Sequence, residues 1–142
     1  MFTGEYRHSV DAKGRVAIPA RFRLQLEEGA VVTKWINGCA AVFTKQAFEQ
    51  LAAKVAVLPL ADEKARAFSL FLFSSAFEVE RDGQGRIVLP TAVREWAALR
   101  SDAVVVGAFD HVEIWAPDRW AAFQKGVDSP DALAANLSGL GI

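Results

Sequence analysis

The sequence has one cysteine, one methionine, one tyrosine and two histidines in 142 residues. A lone thiol, Cys39, excludes an internal disulfide, and Cys39, His8 and His111 are too few and too scattered for a closed zinc site. Long apolar runs are missing too. The most apolar stretch, Phe68 to Phe77, is short and interrupted by Ser69, Ser74 and Ser75, which argues against a membrane span. The opening residues Met1 to His8 contain no apolar signal segment, so the expectation is a soluble, cytoplasmic protein. No Gly-, Pro- or Ser-rich linker divides the chain. What the sequence has in quantity is apolar residues, 52% of the total. That composition is the opposite of a disordered one, and a chain of this length buries about two-thirds of its unfolded surface. The fold is held by its core, in one or two compact domains.

Neither sign of charge dominates, with 16 Lys and Arg against 17 Asp and Glu. A net charge of −1 gives no global attraction for nucleic acid. The distribution is uneven, however. From Arg7 to Arg23 five basic residues face Asp11 alone, and from Arg81 to Arg100 four face two acids, whereas from Ala103 onward two face five. A neutral chain of this kind can carry a basic face.

Internal repetition is the most informative feature. Residues 11 to 23, DAKGRVAIPARFR, superpose on residues 82 to 94, DGQGRIVLPTAVR. Asp11/Asp82, Gly14/Gly85, Arg15/Arg86, Pro19/Pro90 and Arg23/Arg94 are identical, and Val16/Ile87, Ile18/Leu89 and Phe22/Val93 stay apolar. With one inserted residue, Cys39 to Phe43 fall on His111 to Trp115, and Phe48 on Trp120. The chain is two copies of one unit, and the two halves are expected to share one core as a pseudo-symmetric pair.

Each copy has a readable plan. Asp-x-x-Gly is a β-turn signature, with Asp capping the turn and Gly taking a positive φ, and Asp82-Gly83 favours a hairpin. Short strands should flank each turn and stop at Pro19 or Pro90, each opening a short helix. Gly29 ends the first helix, while Ser101-Asp102 must end the second. Buried strands follow over Ala30 to Ile36 and Ala103 to Ala108, turning back into Ala41 to Phe43 and Val112 to Trp115. Further helices start at Thr44 as N-cap and at Pro117 as first helical residue. Asp62 to Phe73 reads as a connecting helix with Ala65, Phe68 and Leu72 inward, and Ser129 caps a last short helix.

The paired turns are the function-bearing candidates. A guanidinium on a short stiff turn presents a permanent charge and a planar fork suited to phosphate or to the O6 and N7 edge of guanine. The competing reading is that Arg15 and Arg86 merely pair with Asp11 and Asp82 across their own turns. Catalysis has no support: Gly83-x-Gly85 lacks the third glycine of a dinucleotide fingerprint, no Gly-Lys-Ser/Thr loop is present, and no triad or carboxylate pair recurs between copies. Glu78 and Glu80 read as solvated edge charges, Cys39 as a buried structural thiol, and His8 as a surface histidine. A further alternative is an oligomeric interaction module without DNA contact, using Trp35, Phe43, Trp115 and Trp120 at subunit faces.

The start Met1 to Arg15, the stretch Ile18 to Arg23, the second turn Asp82-Gly83-Gln84-Gly85-Arg86, and Val112 to Trp120 resemble the MraZ family of bacterial transcriptional regulators over essentially the full length. The resemblance implies an α+β fold of duplicated AbrB-like (SpoVT-AbrB) swapped-hairpin β-barrel units, with short helices around a shared core. The units would span residues 5–52 and 76–123, joined by a helical segment 53–75 and followed by a helical tail 124–142. It also implies a non-enzymatic, nucleoid-associated regulator of a cell-division and cell-wall gene cluster, repressing by default. Such a regulator binds short repeated G-rich boxes in duplex DNA of its own promoter as a ring of eight or twelve subunits, and no cofactor is implied. Carried over by position, Arg15 and Arg86 are the first choices for base contacts. Lys13 and Gln84 sit at the turn tips, where Gln suits adenine and Lys suits guanine or phosphate. Arg7, Arg21 and Arg23 add positive potential, while Asp11, Gly14, Asp82 and Gly85 set turn geometry. Trp96, where the family usually has Tyr, and Ser75, where Gly is common, bear on local packing.

Overall fold

The computed structural model describes residues 1–142. Its elements follow the repeat. The first copy contributes β1 (Glu5–Ser9), β2 (Arg15–Ala17), α1 (Ala20–Arg23), β3 (Ala30–Lys34), β4 (Ala40–Thr44) and α2 (Lys45–Ala56). After α3 (Glu63–Ser75), the second contributes β5 (Phe77–Val79), β6 (Arg86–Val88), α4 (Thr91–Trp96), β7 (Asp102–Gly107), β8 (His111–Trp115) and α5 (Pro117–Val127). The short α6 (Pro130–Leu137) closes the chain. The fold is α+β. No helix is long and apolar enough to cross a membrane.

Strand pairing weaves the copies together. A six-stranded antiparallel sheet runs β1-β7-β8-β4-β3-β5, and β2 pairs only with β6 in a separate ribbon. The first strand of each copy therefore pairs with the third strand of the other, β1 with β7 and β5 with β3. This departs from the hairpin expected on either side of each turn: beyond the single bridge Val10 to Val16, β1 and β2 separate. The apolar alternation of Val16 and Ile18, and of Ile87 and Leu89, sends each second strand across to its repeat partner. There Val16 lies opposite Ile87, and Arg15 and Ala17 lie opposite Val88 and Arg86. In the main sheet Ala41 lies opposite Glu113, flanked by Ala40 with Ile114 and Val42 with Val112. Both registers map onto themselves under exchange of copies, so a pseudo-two-fold axis passes through the Val16/Ile87 and Ala41/Glu113 pairs.

One core serves both copies. Val16, Ile18, Phe22 and Leu26 interdigitate with Ile87, Leu89, Val93 and Ala97, against Ala30, Val32, Val42, Val105, Val112 and Ile114 from the sheet. Phe2 and Tyr6 meet Phe22 edge-on, with ring centres 5.2 and 5.5 Å apart. The opposite sheet face carries Cys39, Val104 and Trp115, packed by Trp35 and Trp120, and Phe43, which meets Phe48 of α2. Ser75 at the end of α3 is buried and shares a 3.0 Å hydrogen bond with Thr33.

The helix ends follow local chemistry. Thr44 and Ser129 accept from Ala47 and Ala132 as N-caps, Asp62 does so for α3, and Pro117 opens α5. Gly29, at φ +100°, ends the first helical segment. The second ends differently from expectation: Ala98 takes the left-handed conformation at φ +52°, and Leu99 N–H returns to the Arg94 carbonyl, before Ser101 and Asp102 are reached. In α3, Leu72 is buried and Ala65 half-buried, but Phe68 is 37% exposed rather than inward.

Candidate nucleic-acid interface

The two turns have the same frame. In the first, Asp11 Oδ1 accepts the backbone N–H groups of Lys13 and Arg15 at 3.0 and 2.8 Å, and its Oδ2 accepts Arg15 Nε–H. In the second, Asp82 Oδ1 accepts from Gln84 and Arg86 at 2.9 Å each, and Oδ2 accepts Arg86 Nε–H at 2.9 Å. Gly14 and Gly85 take φ values of +79° and +76°, which favour glycine. The backbone N–H and guanidinium of Arg15 hold the Asp11 carboxyl below its ordinary pKa, and those of Arg86 do the same for Asp82.

The frames are locked reciprocally. The Gly14 carbonyl accepts from Leu89 N–H and the Gly85 carbonyl from Ile18 N–H, at 2.8 and 2.9 Å. A Cβ on Gly14 would collide with the Arg94 side chain, and one on Gly85 with that of Arg23. Each copy's turn is thus covered by the other copy's helix arginine. Arg23 is further fixed by donating from Nε to the Ile18 carbonyl at 2.9 Å. The identity of Arg23 and Arg94 at the repeat offset was the sequence signal for this clamp, but repetition alone could not say that each serves the opposite turn.

Strand alternation decides where the motif arginines stand. Val16 and Ile87 face the core, so Arg15, Ala17, Arg86 and Val88 share the outer face of the ribbon. Arg15 and Arg86 are diagonal neighbours on that face, a relation that keeps residues about 7–8 Å apart, within reach of long side chains. Their side chains are 32% and 27% exposed. The pairing with Asp11 and Asp82 is present, but it engages Nε. The Nη nitrogens of Arg15 make no hydrogen bond within the chain, and Arg86 Nη1 lies 3.8 Å from Asp11 Oδ2. An aspartate that fixes Nε orients the guanidinium and leaves its terminal fork for another acceptor.

Lys13 and Gln84 are exposed beside these arginines. Arg7 is not brought to the ribbon: in β1 it lies opposite Val104, on the sheet face covered by Trp115 and Cys39, while Tyr6 and His8 share the core side with Val105 and Ala103. Arg21 donates to the Tyr6 hydroxyl at 2.9 Å. His8 is half-buried, and burial together with the charge of Arg23 lowers its pKa. Of the aromatics considered for subunit faces, Phe43 and Trp115 are buried and Trp35 and Trp120 half-buried. Cys39 is buried, and burial pushes its thiol pKa up. Glu78 and Glu80 are exposed.

The same repeat is seen by comparison with known proteins. The family model described as "MraZ protein, putative antitoxin-like" matches residues 1–71 and again residues 72–136. The chain belongs to the MraZ family. Proteins named transcriptional regulator MraZ from Ligilactobacillus salivarius and Heliobacterium modesticaldum are 46% and 45% identical over 138 residues, 96% of each chain. The one from Desulfitobacterium hafniense is 45% identical over 143 residues, covering both chains completely. In this MraZ-family chain the two family matches meet at residues 71 and 72, inside α3, and the strands on either side of that division pair across it.

One polar cluster lies away from the turns. The two ring nitrogens of His111 lie 2.8 Å from the acceptor oxygens Asp110 Oδ1 and Glu113 Oε2, and Trp115 Nε1–H donates to Glu113 Oε1 at 2.9 Å. Burial works against the charge of His111, but the two carboxylates outweigh it and raise its pKa. Burial likewise opposes ionisation of Glu113, and the hydrogen bonds from His111 and Trp115 with the charge of His111 lower its pKa on balance. The i, i+2 alternation of His111, Glu113 and Trp115 on one strand face was the available signal.

Proposed function

We propose that this protein is a DNA-binding transcriptional regulator, not an enzyme, and that its outer ribbon face is the reading surface. The observation that carries this is the adjacency of two repeat-related guanidinium groups, Arg15 and Arg86, each oriented through Nε by an aspartate. A two-stranded antiparallel ribbon has the dimensions of a major-groove reader, and the arginine fork matches the guanine O6 and N7 edge. The name of the full-length relatives supports regulation of transcription. Exchange of strands between the copies supports assigning each unit as an AbrB-like swapped hairpin.

A single small basic face binds duplex DNA weakly, so the reading includes a ring of eight or twelve subunits that engages successive boxes at high effective concentration. The boxes are short, repeated, G-rich and upstream of the chain's own coding region, in a cell-division and cell-wall gene cluster, and binding represses it. Titration of that DNA at two salt concentrations tests this: affinity falls steeply with salt, and moving one box by half a helical turn weakens binding. Salt-independent binding, or indifference to the half-turn shift, would contradict the reading.

A further inference from the structure

The two turns have one backbone but different surroundings. Their aspartate hydrogen bonds, positive-φ glycines and covering arginines correspond one to one. At the tip, Lys13 of the first corresponds to Gln84 of the second. Beside the second turn, Glu27, Glu28, Gly29, Glu80 and Arg81 line one open concavity together with Asp82 and Gly83. Their counterparts at the first turn are Ser9, Val10 and the segment from Ala98 to Asp102, whose charges are Arg100 and Asp102. Setting aside the shared turn residues, the first turn thus has a cationic tip and a neutral flank. The second has a neutral tip and a flank of three carboxylates against one guanidinium. The covering helices offset this only in part: α1, whose Arg23 lies over the second turn, carries Arg21, held to Tyr6, and α4, whose Arg94 lies over the first, carries Glu95.

From this asymmetry, and resting on the DNA-binding reading above, we infer that each subunit engages duplex DNA in one orientation only. The Lys13 turn lies against the phosphate backbone. The Gln84 turn lies over base edges, with Glu27, Glu28 and Glu80 repelling phosphate from that side. A pseudo-symmetric ribbon with equal turns would accept both orientations, because the duplex backbone is itself two-fold related. Phosphates gain from an exposed ammonium and lose against uncompensated carboxylates, whereas a glutamine amide offers the paired donor and acceptor that adenine presents. Glu27, Glu28 and Glu80 are orientation-determining residues on this account.

The test places a cleavage probe at the two equivalent tips. Ala12 and Gly83 are both exposed, and a Cβ on Gly83 meets open space. The full-length variants Ala12→Cys and Gly83→Cys are labelled with an iron chelate that cuts DNA by local hydroxyl radicals, while buried Cys39 stays unlabelled. On the DNA upstream of the coding region, the expected result is two distinct cutting patterns, offset in one constant direction at every box. The triple variant Glu27→Gln/Glu28→Gln/Glu80→Gln should make the patterns overlap. In parallel, Lys13→Gln should lower the slope of log affinity against log salt by about 0.9 for each phosphate it no longer neutralises, and Gln84→Ala should leave the slope unchanged. Binding with superimposable patterns, or equal slope changes for Lys13 and Gln84, overturns the inference and leaves the function standing. No cutting and no binding by the unmodified chain would remove both.

Discussion

The two copies agree where their turns and helices lean on each other and differ at one of the two pairs where they meet themselves. Asp11 and Asp82, Gly14 and Gly85, Arg23 and Arg94 are identical, and each glycine makes room for the arginine of the other copy. A change in one turn must therefore be tolerated by the opposite helix, which couples the sequences across the molecule. At the Ala41/Glu113 pair on the pseudo-dyad, two equivalent residues face each other directly. Two glutamates there would repel in a half-buried setting, and two alanines would leave Trp115 Nε1 without its acceptor. The copies have diverged accordingly, one supplying the small side chain and the other the carboxylate that binds His111 and Trp115. Of the two pairs on the axis, Val16/Ile87 stays apolar in both copies, and only Ala41/Glu113 breaks the symmetry.

The comparison breaks most severely at the ribbon's inner face. Ile87 is 1% exposed and shares the axis with Val16, so Ile87→Ala should cost about 2–5 kcal/mol in denaturant unfolding. Val88, 49% exposed on the outer face, should change stability by less than about 0.5 kcal/mol on truncation to Ala. Equal effects would mean that the ribbon does not anchor both copies. Next in size, Gly14→Ala and Gly85→Ala should each cost about 1–3 kcal/mol, since both force a left-handed alanine against a covering arginine. Shortening Arg94 should relieve Gly14→Ala and leave Gly85→Ala unrelieved, and the reverse holds for Arg23. A double-mutant cycle reads this crossed coupling.

Acid titration sharpens the turns. Because the folded-state pKa values of Asp11 and Asp82 are lowered, their stabilisation is present above the ordinary carboxylate range and is lost as pH falls through the lowered values. Asp11→Asn and Asp82→Asn should both flatten the acid limb of stability, by similar amounts if the turns are equivalent. The smallest effect belongs to the dyad cluster. The raised pKa of His111 gives stabilisation that is full below about 6.5 and fades as pH rises through the raised value, while that of Glu113 fades in acid. His111→Phe keeps a ring stacked on Phe43, whose centre lies 5.0 Å away, and should remove that fade, a change of about 1 kcal/mol.

Much of this was legible in the sequence, for physical reasons that can be named. The repeat, the caps at Thr44 and Ser129, the first-turn Pro117 and the shared core depend on local chemistry or on apolar periodicity, which a sequence displays directly. Strand exchange was not legible in the residue pattern, where β1 and β2 have the alternation of a hairpin, and only the resemblance to swapped-hairpin units pointed to it before the pairing with β7 and β6 was seen. Ala98 escaped because alanine gives no sign of a left-handed conformation. Phe68 follows the helical period, yet the structure leaves it 37% exposed. At the candidate site the structure brings Arg15 and Arg86 to one ribbon face and leaves Lys13 and Gln84 exposed on their turns, and that they contact DNA is the proposal made above. Arg7, near in sequence and like in charge, proved to stand on the other side of the sheet, since one strand step decides the face.

On the proposed function, Arg15 and Arg86 hold their turns through Nε and offer their terminal nitrogens to DNA, with Arg86 Nη1 also 3.8 Å from Asp11 Oδ2. The direct test is quantitative binding of Arg15→Ala and Arg86→Ala to the upstream DNA, alongside their unfolding midpoints and assembly mass. The expected result is at least about a tenfold loss of affinity for each, equivalent to about 1.4 kcal/mol. The salt dependence should be shallower, with assembly mass unchanged and stability altered by no more than an exposed ion pair contributes. Unchanged DNA affinity, or loss of binding only because the protein unfolds or disassembles, would contradict the claim.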